Sequence, residues 1–175
     1  MSSTPRKKVK KNYHINKFFT FFAIIAVIFI WTNSLQVAEV SGEVSEKLAR
    51  FILKIFNLAL GINVSFGTFH HIIRKLAHFS EYLIYGFLLK GAINVRVMTT
   101  LFTGLFTAVI DESIQYFVPG RAAAVKDVLI DFSGFLVGTI IFWIMRAMWH
   151  EFQNTVIADY KERQREKRQI VEYKD

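Results

Sequence analysis

The sequence predicts an all-α integral membrane protein, a bundle of four transmembrane helices with an amphipathic outer helix between helices one and two. Two observations lead there. Of the 175 residues 53% are hydrophobic, and they are gathered into long apolar stretches rather than dispersed. Each stretch runs for about 19 to 22 residues, enough at 1.5 Å per residue to cross a hydrocarbon core of roughly 30 Å. Their polar residues lie towards one end, whereas a helix in water needs a polar stripe along its whole length.

Residues 1–16 form a basic tail. The first helix follows as "KFFTFFAIIAVIFIWTNSL", residues 17–35, with no charge after Lys17. A signal peptide is the second reading, with Phe18 to Trp31 as its apolar region. The run continues to Leu35, however, and "QVAEVSG" has no clear small-x-small cleavage site. The outer segment 36–71 is too long for a tight turn. Within it, Val44, Leu48, Phe51, Ile52, Ile55 and Leu58 recur at helical spacing, while Glu46, Lys47, Arg50 and Lys54 fall elsewhere on the wheel. This pattern fits a helix lying on the outer membrane surface or one packed on the ends of the spans. Helices at about 72–93, 97–118 and 128–149 complete a membrane domain over 17–149. The tail 150–175 mixes charges of both signs and is expected as a solvated cytoplasmic helix or a disordered segment. The chain has no Cys, which excludes disulfides, thiolate nucleophiles and cysteine metal sites.

Orientation comes from Lys and Arg. Six lie at the N-terminus up to Lys17, two (Lys90, Arg96) between helices two and three, and seven from Arg146 onward, fifteen on one side. Seven lie on the other: Lys47, Arg50, Lys54, Arg74, Lys75, Arg121 and Lys126. The positive-inside rule then puts both termini in the cytoplasm of a multi-pass cell-membrane protein. The net charge of +8 reads as topology and attraction to anionic lipid, and no nucleic-acid partner is expected.

Ionisable residues inside apolar helices need partners, water or protons. On helix two, Arg74, His78, Glu81 and Tyr85 fall within about 60° of one another. On helix three, Asp111 and Gln115 share a stripe with Gly104 and Ala108, with Glu112 beside it. On helix four, Asp127, Asp131, Gly134 and Gly138 share a face. Helices two and four start outside and helix three ends there, so all three clusters fall in the outer half of the membrane. Gly104, Gly134 and Gly138 suit close helix packing.

Two segments carry a family resemblance: "RKLAHFSEYLIYGFLL", residues 74–89, and "DESIQYFVPGRAAAVKDVLIDFSGFLVG", residues 111–138. A basic residue, His and Glu-Tyr on one helix, followed by Asp-Glu-x-x-Gln, Pro-Gly-Arg, Asp and a late Gly-x-x-x-Gly, resembles the VanZ-like family, named after a teicoplanin-resistance protein. One departure is Asp131, where the family usually has Asn. The resemblance implies a bacterial cell-envelope protein that modulates susceptibility to teicoplanin-type glycopeptides, with no reaction attached.

The expected site is an outward-facing polar pocket made from Arg74, His78, Glu81, Tyr82, Asp111, Glu112, Gln115, Arg121, Asp127 and Asp131. Its expected partners are membrane lipids and a lipid-linked cell-wall precursor or the glycopeptide itself. The oligomeric state, including a homo-oligomer, is left open. Arg121, aimed by Pro119 and Gly120, suits bidentate capture of phosphate or carboxylate. Two other classes stand beside this reading. An acid–base enzyme could use His78 with Asp111 or Glu112, although no activated nucleophile is visible. An ion-coupled transporter would use the same carboxylates, although the polar cluster does not continue through the bundle. No cofactor and no metal are expected, since one His with scattered carboxylates is a weak metal signal; His78, Glu81 and Asp111 are the set considered.

Overall fold

The computed structural model describes residues 15–36, 46–47, 49–55, 57–58, 65–93, 97–121 and 123–172, the last seven by backbone alone. Its named helices are α1 (Lys17–Leu35), α2 (Phe66–Ala92), α3 (Val97–Phe117) and α4 (Val125–Glu172). The described residues between 46 and 58 are also helical. There Arg50 pairs with Glu46 at 2.6 Å and stacks 4.2 Å above the Phe66 ring. Phe51, Ile55 and Leu58 of the expected amphipathic face are exposed. Val44 and Leu48 lie outside the described residues, as do the N-terminal tail to residue 14 and the end of the C-terminal tail.

Three segments are long and apolar enough to cross a bilayer: Lys17–Leu35, Val97–Phe117 and Val125–Arg165. They mark a membrane protein. Four crossing helices are expected from the sequence, but α2 does not join these three on composition. Its N-terminal half carries His70, His71, Arg74, Lys75, His78 and Glu81 on an otherwise apolar helix. The flanks of α1 fit lipid: Phe18, Phe21, Ile25, Ile28 and Phe29 are all exposed.

Two boundaries differ from expectation. Helix α2 starts at Phe66 rather than near 72, because "FGTFHH" contains no proline and its one glycine, Gly67, is unobstructed. Helix α4 does not stop near Trp149; it runs on to Glu172. Residues 150–172 contain neither Gly nor Pro, and i,i+4 pairs such as Asp159–Arg163 at 3.0 Å support a solvated helix. The chain divides by compactness into two units, Met1–Thr139 and Ile140–Asp175, each described by itself. The second unit, taken alone, is helical, with Trp149 and Phe152 rings 5.9 Å apart and its large apolar residues exposed.

The first unit is a helix bundle. The Asn16 side chain caps α1 by accepting from the Phe18 and Phe19 amides at 3.1 and 3.4 Å. Its own amide donates to Ala92 O at 2.9 Å, so α1 begins where α2 ends and the two run antiparallel. Gly120, at φ 78°, takes the left-handed conformation that turns the chain from α3 into α4. The core gathers Ala23, Ile30, Tyr82, Tyr85, Ala108 and Phe135.

Candidate functional site

The antiparallel order brings the polar ends of the helices together. Ser34 at the end of α1 donates to Asp111 Oδ1 of α3 at 2.5 Å. Gln115 Nε2 donates to Asp111 Oδ2 at 3.2 Å and to Ser34 Oγ at 3.3 Å. Asn33 Nδ2 donates to Glu81 Oε1 of α2 at 3.1 Å. The buried positions of α3, namely Thr100, Gly104, Thr107, Ala108, Asp111, Glu112 and Gln115, follow helical spacing, so one face passes from small residues to carboxylates.

A cavity of about 320 Å³ opens beside this cluster. Arg74, His78, Glu112, Gln115, Arg121, Asp127 and Asp131 line it, all predicted from sequence, together with His71, Lys75 and Lys126. The other three predicted residues do not line it. Asp111 is fully buried behind its hydrogen bonds. Glu81 borders a separate apolar groove with Phe22, Ile25 and Leu88. Tyr82 packs in the core, its ring 6.4 Å from that of Tyr85, although it lies only about 40° from His78 on the helical wheel.

The cations of the cavity have different duties. Lys75 pairs with Asp127, tying α2 to α4. Arg121 serves as a clasp, its Nη2 donating to Asn33 O at 2.9 Å and its Nε to Gln36 O at 3.0 Å, carbonyls that end α1. Partial burial, with Arg74 nearby, lowers the Arg121 pKa, while Asp111, Glu112 and Glu81 oppose the shift; a guanidinium remains charged at neutral pH. Arg74 and Lys126 have no carboxylate partner among the described residues. Of the carboxylates, Glu112 Oε1 accepts from the Ala124 amide at 2.6 Å, whereas Asp131 Oδ2 has no partner.

Close packing of α2 on the first turns of α4 holds the walls in place. A Cβ on Gly86 would lie 2.2 Å from Phe135 O, one on Gly134 2.2 Å from Phe79 O, and one on Gly138 1.9 Å from Leu83 O. Gly104 of α3 faces the Phe135 ring, which a Cβ would meet at 2.4 Å.

Compared with known families, residues 19–146 match VanZ/LLP1, more than half of the chain. The chain belongs to the VanZ/LLP1 family. A search of the curated proteins found no match, and neither did a search of the solved structures. The matched region of this VanZ-like envelope protein begins in α1 and includes every lining residue of the cavity.

Several contributors escaped the sequence reading. Ser34 and Asn33 sit in "WTNSLQ", polar residues closing an apolar helix, which is a visible signal that they need partners in the bundle. Lys75 is turned 100° from Arg74 on the helical wheel and so fell outside the stripe. His71 and Lys126 lie at helix entrances, where charged residues are ordinary and give no signal.

Proposed function

We propose that this VanZ-like protein is a multi-pass cell-membrane protein with four crossing helices and cytoplasmic termini, whose outward-facing cavity binds the anionic headgroup of a lipid-linked envelope component. By holding that component it modulates susceptibility to teicoplanin-type glycopeptides. The observation that carries the reading is the charge of the cavity: Arg74, Lys75, Arg121 and Lys126 stand against Glu112, Asp127 and Asp131, and two of the cations lack carboxylate partners. An anion entering there meets donors whose charge is not already compensated. Crossing by α2 is supported by its antiparallel run beside the apolar α1, since His71, Arg74, Lys75 and His78 line the cavity.

The test uses Arg74→Ala combined with Lys126→Ala, because Arg121 and Asp111 hold the fold together and their loss would confound the result. In an expressing strain, the double variant is expected to reach normal membrane levels and lose glycopeptide tolerance. Purified, it is expected to bind glycerol phosphate, a headgroup analogue, at least tenfold more weakly than the wild type. Unchanged tolerance and unchanged binding at normal protein levels would overturn the reading.

A further inference from the structure

Three ligand-type side chains meet beside the cavity from three different helices. His78 of α2, Asp111 of α3 and Asp131 of α4 each offer a donor atom, and these atoms lie within 4.8 Å of one another. Asp111 is 0% exposed and Asp131 2%. The hydrogen bonds of Asp111 come from Ser34 and Gln115, both neutral, and leave lone pairs free on each oxygen. Asp131 Oδ2, with no hydrogen-bond partner at all, is an orphaned buried oxygen within the same cluster.

Neither carboxylate has an ion-pair partner within 4.0 Å among the described residues. Two buried carboxylates this close, with only neutral donors, are unfavourable unless a cation or a shared proton lies between them. The imidazole adds a third ligand atom from a third helix, which makes the cluster a complete nitrogen–oxygen donor set for a metal ion as well as a partner for a proton. The set considered from sequence contained Glu81 in place of Asp131. In the fold Glu81 is turned to Asn33 and the apolar groove, and Asp131 takes the third position.

We infer that His78, Asp111 and Asp131 bind a divalent first-row metal ion. One imidazole and two carboxylates form a nitrogen–oxygen donor set that suits Zn²⁺, Mn²⁺ or Fe²⁺. Donors bound at about 2.0–2.2 Å sit roughly 3–4 Å apart, so atoms up to 4.8 Å apart need to close by up to about 1–2 Å, shared between side chains through small rotamer changes. Ser34 and Gln115 hold Asp111 in the orientation such a ligand needs. Three protein ligands leave at least one coordination position open. His78 and Asp131 both line the cavity that Arg74 and Lys126 also line, so an anion held there could reach that position. A phosphate or carboxylate oxygen of a bound anion would fit there.

The metal site does not depend on anion binding, and the test uses metal alone. The purified full chain, stripped with chelator in detergent, is titrated with Zn²⁺ and with Co²⁺, and the washed protein is assayed for bound metal. One ion per chain is expected, with a Co²⁺ visible spectrum that shifts when His78 is replaced by Gln. Asp131→Asn, isosteric with the native residue, is expected to weaken binding more than tenfold. Ser34→Ala, which removes only a support of Asp111, is expected to weaken it by about 10- to 100-fold. Should Asp131→Asn fail to fold, Ser34→Ala carries the test. Arg74→Ala, which removes a cation beside His78, is expected to weaken glycerol phosphate binding without weakening metal binding, which separates this inference from the proposed function. A wild-type chain that retains no stoichiometric metal would overturn the site, as would affinity unaltered in the folded variants.

Discussion

Ser34, in the last turn of α1, and Asp111, on α3, are both fully buried and joined by a 2.5 Å hydrogen bond across 77 residues of sequence. The contact ties the most apolar helix of the bundle to the most polar position of the site. Ser34→Ala leaves one oxygen of a buried carboxylate without its donor and is expected to cost about 1–3 kcal/mol. Thermal unfolding in detergent, compared with the wild type, measures it; no loss of stability would mean that another donor replaces the hydroxyl.

Glycines give a sharper contrast. Gly138→Ala places a methyl group 1.9 Å from Leu83 O, a backbone atom that cannot rotate away, whereas Gly67→Ala meets nothing within 4 Å. Gly138→Ala is therefore expected to destabilise by about 1–3 kcal/mol or more through overpacking of α2 on α4. Gly67→Ala, in the exposed first turn of α2, is expected to be neutral or to stabilise by up to about 1 kcal/mol. Denaturation midpoints of the two variants, prepared side by side, check the difference in sign.

The Lys75–Asp127 ion pair links α2 to α4 with both side chains about one-fifth exposed. A double-mutant cycle with Lys75→Met and Asp127→Asn is expected to show a coupling of about 0.5–3 kcal/mol, because the pair is partly withdrawn from solvent. Unfolding free energies of the four proteins give the coupling directly, and additivity would show that the pair is only a neighbourly contact.

Topology can be read with little background, since the chain has no native cysteine. Ala123→Cys, in the exposed turn between α3 and α4, is expected to react with an impermeant maleimide added to intact cells. A cysteine at Ser3 is expected to react only after the cells are opened. The reverse pattern would invert the proposed orientation.

Most of the helical layout and most of the cavity lining were legible from period and polarity alone. Arg74, His78, Glu112, Gln115, Asp127 and Asp131 line one cavity because helical spacing fixes which residues share a face, and the antiparallel order brings the polar ends together. Tyr82 went astray because it shares the direction of His78 to within about 40° but lies a turn further along the helix, where its ring packs in the core. The sequence left residues 150–175 as a solvated helix or a disordered segment, because a charged segment without breakers satisfies both; the structure takes the helix, continuous with α4 to Glu172. Asp131 as a partner of His78 and Asp111 depends on how three helices cross, and no one-helix pattern contains that information.

Arg121 illustrates how geometry redirects a residue that the sequence marks for anion capture. Two of its nitrogens already serve α1, with Nη2 on Asn33 O and Nε on Gln36 O, so its fork spans two carbonyls at the helix terminus, one of which, Asn33 O, also accepts from the Gln36 amide at 3.2 Å. A lysine carries the same charge but offers a single point, and it cannot reproduce both bonds in that geometry. If Arg121 acted only as a charge for the anion, Arg121→Lys would keep stability and most of the glycerol phosphate affinity. The clasp instead leads to the expectation that Arg121→Lys loses about 1–3 kcal/mol of stability, close to the loss in Arg121→Ala. Unfolding and glycerol phosphate titration on the same preparations separate the two. Equal losses of stability in Lys and Ala variants identify the clasp, and a Lys variant as stable as the wild type would return Arg121 to the role of a plain surface charge.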